Sequence, residues 1–386
     1  RAPAQPEPLR TLPRRRLPRI SVMVPLFREE RIAEALITRL SKLTYPKALL
    51  EVVLVLEAKD TVTRATLART DLPRWMRVSE VPDDGTITTK PRALNYALDF
   101  CNGDIIGVWD AEDAPEPDQL EKVVTHFAHA GPKVACVQGI LDYYNARHNW
   151  LARCFTIEYA GWGRLGLPGV ARMGLVLPLG GTTLFFRRKI LEELGGWDAH
   201  NVTEDADLGI RLARAGYSTE LIPTATYEEA NCRAWPWVKQ RSRWIKGYLI
   251  TYCVHMRRPG ALLRDLGLKR FIGLQTMFLA TVSQFATLPL LWTFWLPAVG
   301  LPHPVITTLG PGVIWPLATF FIAAEILNIC IGMLAVSDRD HRHLVPWVLT
   351  LPVYFPLGAL ASYKALYELV SDPFYWDKTQ HGHAQG

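Results

Sequence analysis

Apolar and polar positions follow two regimes along this chain. From Pro18 to about Gln138, short continuous apolar runs alternate with stretches of helical spacing. RISVMVPLF, EVVLVLEA and DIIGVWDAED have the length of strands and little internal alternation. RIAEALITRLSKL spaces Ile32, Leu36, Leu40 and Leu43 along one helical face, and KPRALNYALDF reads as a second helix. Non-alternating strands separated by helices predict a parallel sheet covered on both faces, hence an α/β domain. Ligands of such sheets lie at the carboxyl ends of the strands. Here those ends carry Glu57 and Asp60, then Asp110, Glu112 and Asp113.

From about Phe271 the pattern changes. FIGLQTMFLATVSQFATLPLLWTFWL carries no charge over about the length that crosses a bilayer. VIWPLATFFIAAEILNICIGMLAV carries only Glu325, which reads as a polar contact facing other helices. The loop between them is uncharged. Basic residues flank the pair on the other side, in Arg257 to Arg270 and in SDRDHRH. That is the positive-inside pattern of a two-span hairpin. A third apolar run, HLVPWVLTLPVYFPLGALASYKALYELV, has three prolines, Lys364 and Glu368. It reads as an interfacial helix, with a third span as the alternative.

Composition sharpens this picture. The chain has 386 residues, 49% of them hydrophobic, and a formal net charge of +6. Its basic clusters abut apolar segments and no recognition motif accompanies them, which argues for a membrane surface and against nucleic acid. Six cysteines lack CxxC or Cys/His metal spacing and are expected to be reduced. A Pro/Arg-rich linker opens the chain without an initiator Met, so preceding domains or partner subunits are expected.

Several stretches carry candidate chemistry. WDAED, Trp109 to Asp113, ends an apolar strand in carboxylates, which suits a hard cation such as Mg²⁺; a solvated strand end is the alternative. KPRALNYAL puts Lys90 and Arg92 at a helix start, where an anionic phosphate is favoured. PLGGTT offers a close backbone approach at Gly180 and Gly181, with hydroxyls on Thr182 and Thr183, or forms an ordinary turn. VTEDADLGI crowds Glu204, Asp205 and Asp207 at one helix start. Those acids serve either the helix dipole, with Thr203 as the cap, or a general base. AWPWVKQRSRWIKGY interleaves tryptophans and cations, which suits sugar and diphosphate binding as well as an interfacial helix.

The ordered set EAKD, KPRALN, DAED, GGTT, TED and QRSRW, followed by membrane segments, resembles the processive, membrane-integrated members of glycosyltransferase family 2. These include cellulose synthase catalytic subunits and the synthases of hyaluronan, chitin and curdlan. After the basic linker over 1–17, the resemblance, which covers the chain from about Pro18, implies a Rossmann-like GT-A catalytic domain over 18–265 and a membrane region over 266–370. The last contains two spans and an interfacial helix. A gating segment follows over 371–386, with Trp376, Lys378 and Thr379 closing on nucleotide.

The resemblance also implies a UDP-sugar donor, a polysaccharide acceptor, Mg²⁺ or Mn²⁺, and a lipid bilayer. The protein is then an inverting enzyme of the inner (cytoplasmic) membrane, multi-pass, with its catalytic domain in the cytoplasm. Nucleotide contacts fall to Pro25, Glu57, Asp60, Lys90, Asp110, Ala111, Glu112 and Arg243. The usual aspartate pair is absent from LVLEAKD. The metal motif reads Asp110-Ala111-Glu112, with Asp113 as a neighbouring substitute. Asp205 matches the catalytic base, flanked by Thr203 and Glu204; Gly181, Thr182, Gln240 and Trp244 match acceptor contacts. The rival readings are a non-processive transferase acting on a lipid or short acceptor, and a non-catalytic nucleotide-binding membrane scaffold. The presence of both TED and the metal carboxylates argues against the scaffold.

Overall fold

The structure, a computed structural model, describes residues 17–29, 32–85, 87–309 and 311–372. Trp376, Lys378 and Thr379 lie outside the described residues. The chain forms two compact units. One holds the described residues up to Tyr144, Leu167–Glu229 and Ile250–Leu274; the other holds Asn145–Gly166, Ala230–Leu249 and the described residues from Gln275 onward.

The first unit is built on an eight-stranded sheet. Its strands are β1 (Ile20–Leu26), β2 (Leu50–Glu57), β3 (Met76–Val81), β4 (Ile105–Val108), β5 (Ala114–Pro115), β6 (Val134–Tyr143), β7 (Leu184–Arg187) and β8 (Ser218–Glu228). Their spatial order is β3-β2-β1-β4-β7-β6-β8-β5. The strands β1 to β4 pair in parallel; the continuous apolar runs of β1, β2 and β4 predict this, whereas β3 (MRVSEV) carries no such run. The rest of the sheet is mixed, because β7 runs antiparallel to both β4 and β6. β7 is only four residues long, too short for its direction to be read from periodicity.

Successive strand residues supply opposite faces of the sheet. Val22 and Val24 join a cluster that takes in Leu36 and Leu40 of α1 (Ile32–Ser41). Met23 joins a second cluster on the other face. Around the sheet run α2 (Thr61–Leu67), α3 (Lys90–Leu98), α4 (Gln119–His129), the short α5 (Leu167–Arg172) and α6 (Arg188–Glu193), and α7 (Glu204–Arg214). α3 and α7 contribute Ala93, Leu94, Leu208 and Leu212 to the second cluster.

In the second unit, Trp150–Ala160 is helical, and so is the first part of α8 (Ala234–His255), whose last residues belong to the sheet unit. Two helices among the described residues are long and apolar enough to cross a membrane: α9 (Pro259–Trp292) and the stretch Ile314–Ala335. α9 is interrupted at Gly267, whose φ of 74° is cheap only for glycine. The third apolar run forms Arg342–Tyr354 and Pro356–Ser371, bent by 46° at the break, and counts as a further span only if the pair is taken as one. Its prolines lack the N–H that a straight helix needs.

Polar contacts tie that run into its own unit. Trp150 Nε1 donates to Thr350 Oγ1 at 2.8 Å, and Trp237 Nε1 donates to Tyr354 Oη at 2.7 Å. Tyr354 Oη in turn donates to Glu158 Oε2 at 2.7 Å, which also accepts from Arg241 at 2.8 Å.

Gly209 lets α7 lie against the chain leading into GGTT: an added Cβ would stand 2.5 Å from the Leu177 carbonyl oxygen and 3.1 Å from Leu179 Cγ. Gly209→Ala is therefore expected to cost about 1–3 kcal/mol. Thermal unfolding that matches the native protein would show that this approach is not tight.

Candidate active site

Strand directions assemble the site. The carboxyl end of β4 leads into Asp110. Because β7 is antiparallel, its amino end lies beside that point, with Val108 opposite Leu184. The Thr183 N–H donates to the Val108 carbonyl at 3.0 Å. This pairing places GGTT next to DAED.

The DAED turn is held from inside. Asp113 is fully buried; its Oδ2 accepts the Asp110 N–H at 2.8 Å and the Thr182 hydroxyl. Arg39 of α1 donates to the Ala111 and Glu112 carbonyls. Asp113 Oδ1 is buried without a hydrogen-bond partner among the described residues. Burial, and then the negative charge of Asp110, push the Asp113 carboxyl well above the ordinary range. Glu228, at the end of β8, is pushed up by burial and by Asp113, Glu112 and Asp110. Thr183 has φ of 58°, costly for a β-branched residue.

Lys90 opens α3, whose cap is Thr89. Its Nζ lies 2.5 Å from Asp110 Oδ1 and donates to the Gly181 carbonyl at 3.0 Å. Burial opposes its charge, but Asp110, Glu204 and Asp205 together raise its pKa above the ordinary value. A Cβ added to Gly181 would stand 3.5 Å from Asp205 Oδ2 and 3.9 Å from Lys90 Nζ. Gly181 thus leaves open the space between these two groups.

The three acids of α7 divide into two kinds. Asp207 is buried and structural: Arg211 donates to it at 2.7 Å, and His255 Nε2 lies 2.9 Å away. Burial works against its charge, but those partners hold its carboxyl below the ordinary range. Glu204 and Asp205 face Lys90 instead. Burial and its neighbour Asp205 raise Glu204 to about 8, against the pull of Lys90. Burial raises Asp205 to about 6, offset by the Ala206 N–H and Lys90. Thr203 stands at the cap position, yet its side chain does not cap the helix.

Other predicted residues have separate surroundings. Pro25 lies in β1, in register with Val55. Glu57 is buried, with Oε2 3.5 Å from Arg92 and Oε1 unpartnered among the described residues. Asp60 is occupied structurally: it caps α2 through Thr63 and accepts the Arg28 N–H at 2.5 Å. Gln240, Arg243 and Trp244 lie in the second unit. There Gln240 accepts from Asn231 at 3.3 Å, and the Arg241 guanidinium lies 5.0 Å from the Trp244 ring centre. Arg39, Glu228, Thr251 and His255 escaped sequence reading, because each matters through a partner far along the chain.

Among the described residues no three His, Cys, Asp or Glu side chains converge as a complete cage. A hard cation bound together with phosphate needs only one or two carboxylates. Asp110, half-buried at the turn, and the unpartnered oxygen of Asp113 beneath it meet that requirement.

Residues 18–247 match Glycosyltransferase like family 2. The chain belongs to this family. Among curated members, a probable glycosyltransferase YdaM of Bacillus subtilis is 30% identical over 60% of this chain. A β-monoglucosyldiacylglycerol synthase of Trichormus variabilis is 26% identical over 95% of it. Glucomannan 4-β-mannosyltransferase 7 of Arabidopsis thaliana is 26% identical over 60%. The chain spans 55%, 77% and 42% of these family members, respectively. Among solved structures, the Pyrobaculum calidifontis mannosyltransferase PcManGT, in complex with GDP-Man and Mn²⁺, superposes with a TM-score of 0.55. The match is 19% identical and covers 91% of this chain and 88% of that one. It shows the fold: a GT-A-like mixed α/β sheet domain followed by helical segments.

The raised carboxyls cost stability. A carboxyl whose folded pKa exceeds its unfolded value binds more protons when folded, so stability falls as pH rises from the unfolded pKa through the folded one. For Glu204 that window runs from its ordinary value up to about 8. Glu204→Gln is expected to raise the melting temperature at pH 8 by a few degrees, roughly 2–4 °C. The gain shrinks toward pH 4. A pH-independent difference in scanning calorimetry would refute the assignment.

Proposed function

We propose that this glycosyltransferase moves a hexose from a UDP-sugar to an acceptor hydroxyl with inversion, giving a β-linked product at a membrane. The observation that carries the reading is the pairing across Gly181: a carboxylate raised to about 6 on one side, and the Lys90–Asp110 pair on the other. A general base works best with a pKa near the operating pH. Asp205 takes the proton of the acceptor hydroxyl, whose oxygen forms the new bond to the anomeric carbon. The bond from that carbon to the diphosphate breaks, and its electron pair leaves with UDP. Lys90 stands where negative charge develops on the phosphate side. Mg²⁺ or Mn²⁺, held by Asp110 with Asp113 or Glu112, supplies further neutralisation of that charge when bound.

For the acceptor, the QxxRW spacing and the glucomannan 4-β-mannosyltransferases among the relatives support a growing β-glycan. A second reading, glucosylation of a diacylglycerol-like lipid, is favoured by one observation: the β-monoglucosyldiacylglycerol synthase match extends over 95% of the chain, apolar segments included. In either case the apolar helices and their basic flanks support an inner-membrane enzyme with the sheet unit on the cytoplasmic side.

Asp205→Asn should retain nucleotide binding, followed by calorimetric titration, and lose transfer by roughly 10²- to 10⁴-fold. The native acid limb should lie near pH 6. Normal turnover in the variant would sink the reading. Incubation with a panel of nucleotide sugars, with separation of lipid-soluble from polymeric product, decides the acceptor.

A further inference from the structure

The residues on either side of Asp205 are gripped by the last turns of α8. These contacts all lie within the sheet unit. Thr251 Oγ1 accepts from Asn201 Nδ2 at 2.8 Å and lies 3.2 Å from Thr203 Oγ1. Asn201 Oδ1 accepts the Thr203 N–H at 3.0 Å. Four residues beyond Thr251, His255 Nε2 meets Asp207 Oδ1 at 2.9 Å. Arg214 Nη1 lies 3.2 Å from His255 Nδ1 and is a donor only, so Nδ1 accepts and the ring proton sits on Nε2, donated to Asp207. Asp265 holds Arg214 in place at 2.8 Å. Asn201, Thr203, Asp207, Thr251 and His255 are all buried.

This arrangement matters because α7 lacks its own side-chain cap. The first amides of a helix need outside partners, and a Thr at the cap position ordinarily supplies one. Here the Thr203 hydroxyl is turned to Asn201 and Thr251 instead. The start of α7 is thus held through Thr251 before Asp205 and through His255 after it.

We propose that Thr251 and His255 are positioning residues for sugar transfer: they fix the first turn of α7 so that the Asp205 carboxylate faces the gap over Gly181. The inference rests on the reading of Asp205 as the base. It assigns to the end of α8 a role that no motif marks.

Three variants test it: His255→Ala; Thr251→Val, which removes the hydroxyl at nearly constant volume; and His255→Gln, which keeps an N–H donor. His255→Ala and Thr251→Val should each lower kcat roughly 10- to 100-fold, since small misplacements of reacting groups have effects of that size. Donor KM should change by less than about threefold, the split expected when ground-state binding is intact. His255→Gln should recover most of kcat. In His255→Ala, amide hydrogen exchange should speed up over Glu204–Asp207 relative to the rest of α7. Unchanged kcat in both truncations overturns the proposal, as does a loss of activity that only tracks the folded fraction. If the native protein transfers no sugar from any donor, the base assignment fails; the exchange measurement then decides the clamp alone, with unchanged protection over Glu204–Asp207 overturning it.

Discussion

The ammonium of Lys90 touches Asp110 Oδ1 and the Gly181 carbonyl, and it is drawn by Glu204 and Asp205 as well. Partly buried carboxylates cannot share a small volume without a nearby cation. Lys90 is that cation, and it does not neutralise all of them. Asp113, Glu228, Glu204 and Asp205 remain raised above the carboxylate range. Each of these carboxyls therefore gives up its proton less readily than an exposed one, because burial and like charge outweigh the single ammonium.

The surrounding chain is arranged to hold this imbalance. Arg39 binds the DAED backbone, Thr182 and Asp113 join DAED to GGTT, and Asp60 fastens the turn after β1 to α2. Thr183 is bound on both sides, through the Val108 and Gly139 backbones, in a conformation it would otherwise avoid. Gly139 is required opposite it, since an added Cβ would meet the Thr183 methyl. Strain and unpaired charge of this kind persist only where neighbouring contacts over-determine them.

The second unit handles its polar groups differently. Glu158, Arg241, Trp237 and Tyr354 join in one hydrogen-bonded network, in which Arg241 Nε alone lacks a partner among the described residues, while Lys246 pairs with Glu368 at 3.3 Å. The outward residues of its apolar helices, among them Phe320, Ile326 and Leu334, are exposed. Charges paired within the unit and apolar side chains on its outside suit a hydrocarbon surrounding, where unpaired polar groups cost several kcal/mol.

Much of this was legible in the chain itself. Continuous apolar runs in β1, β2 and β4 announced a covered parallel sheet, and the acids after them lie at its carboxyl edge. Spacing also located the apolar helices and the order of the motifs. These are local properties, set by side-chain periodicity and by hydropathy over one element. What tertiary structure decided was partnership. The acids at the start of α7 look alike in sequence, yet Asp207 is paired with Arg211 and hydrogen-bonded to His255, while Asp205 is left facing Lys90. Asp60 and Glu57 look equivalent, yet one caps a helix and the other keeps a free oxygen. The antiparallel entry of β7, which brings Gly181 to Asp110, leaves no mark in a four-residue strand. A carboxylate's role depends on which charges and donors reach it across the fold, and the contacts that set this join residues tens of positions apart.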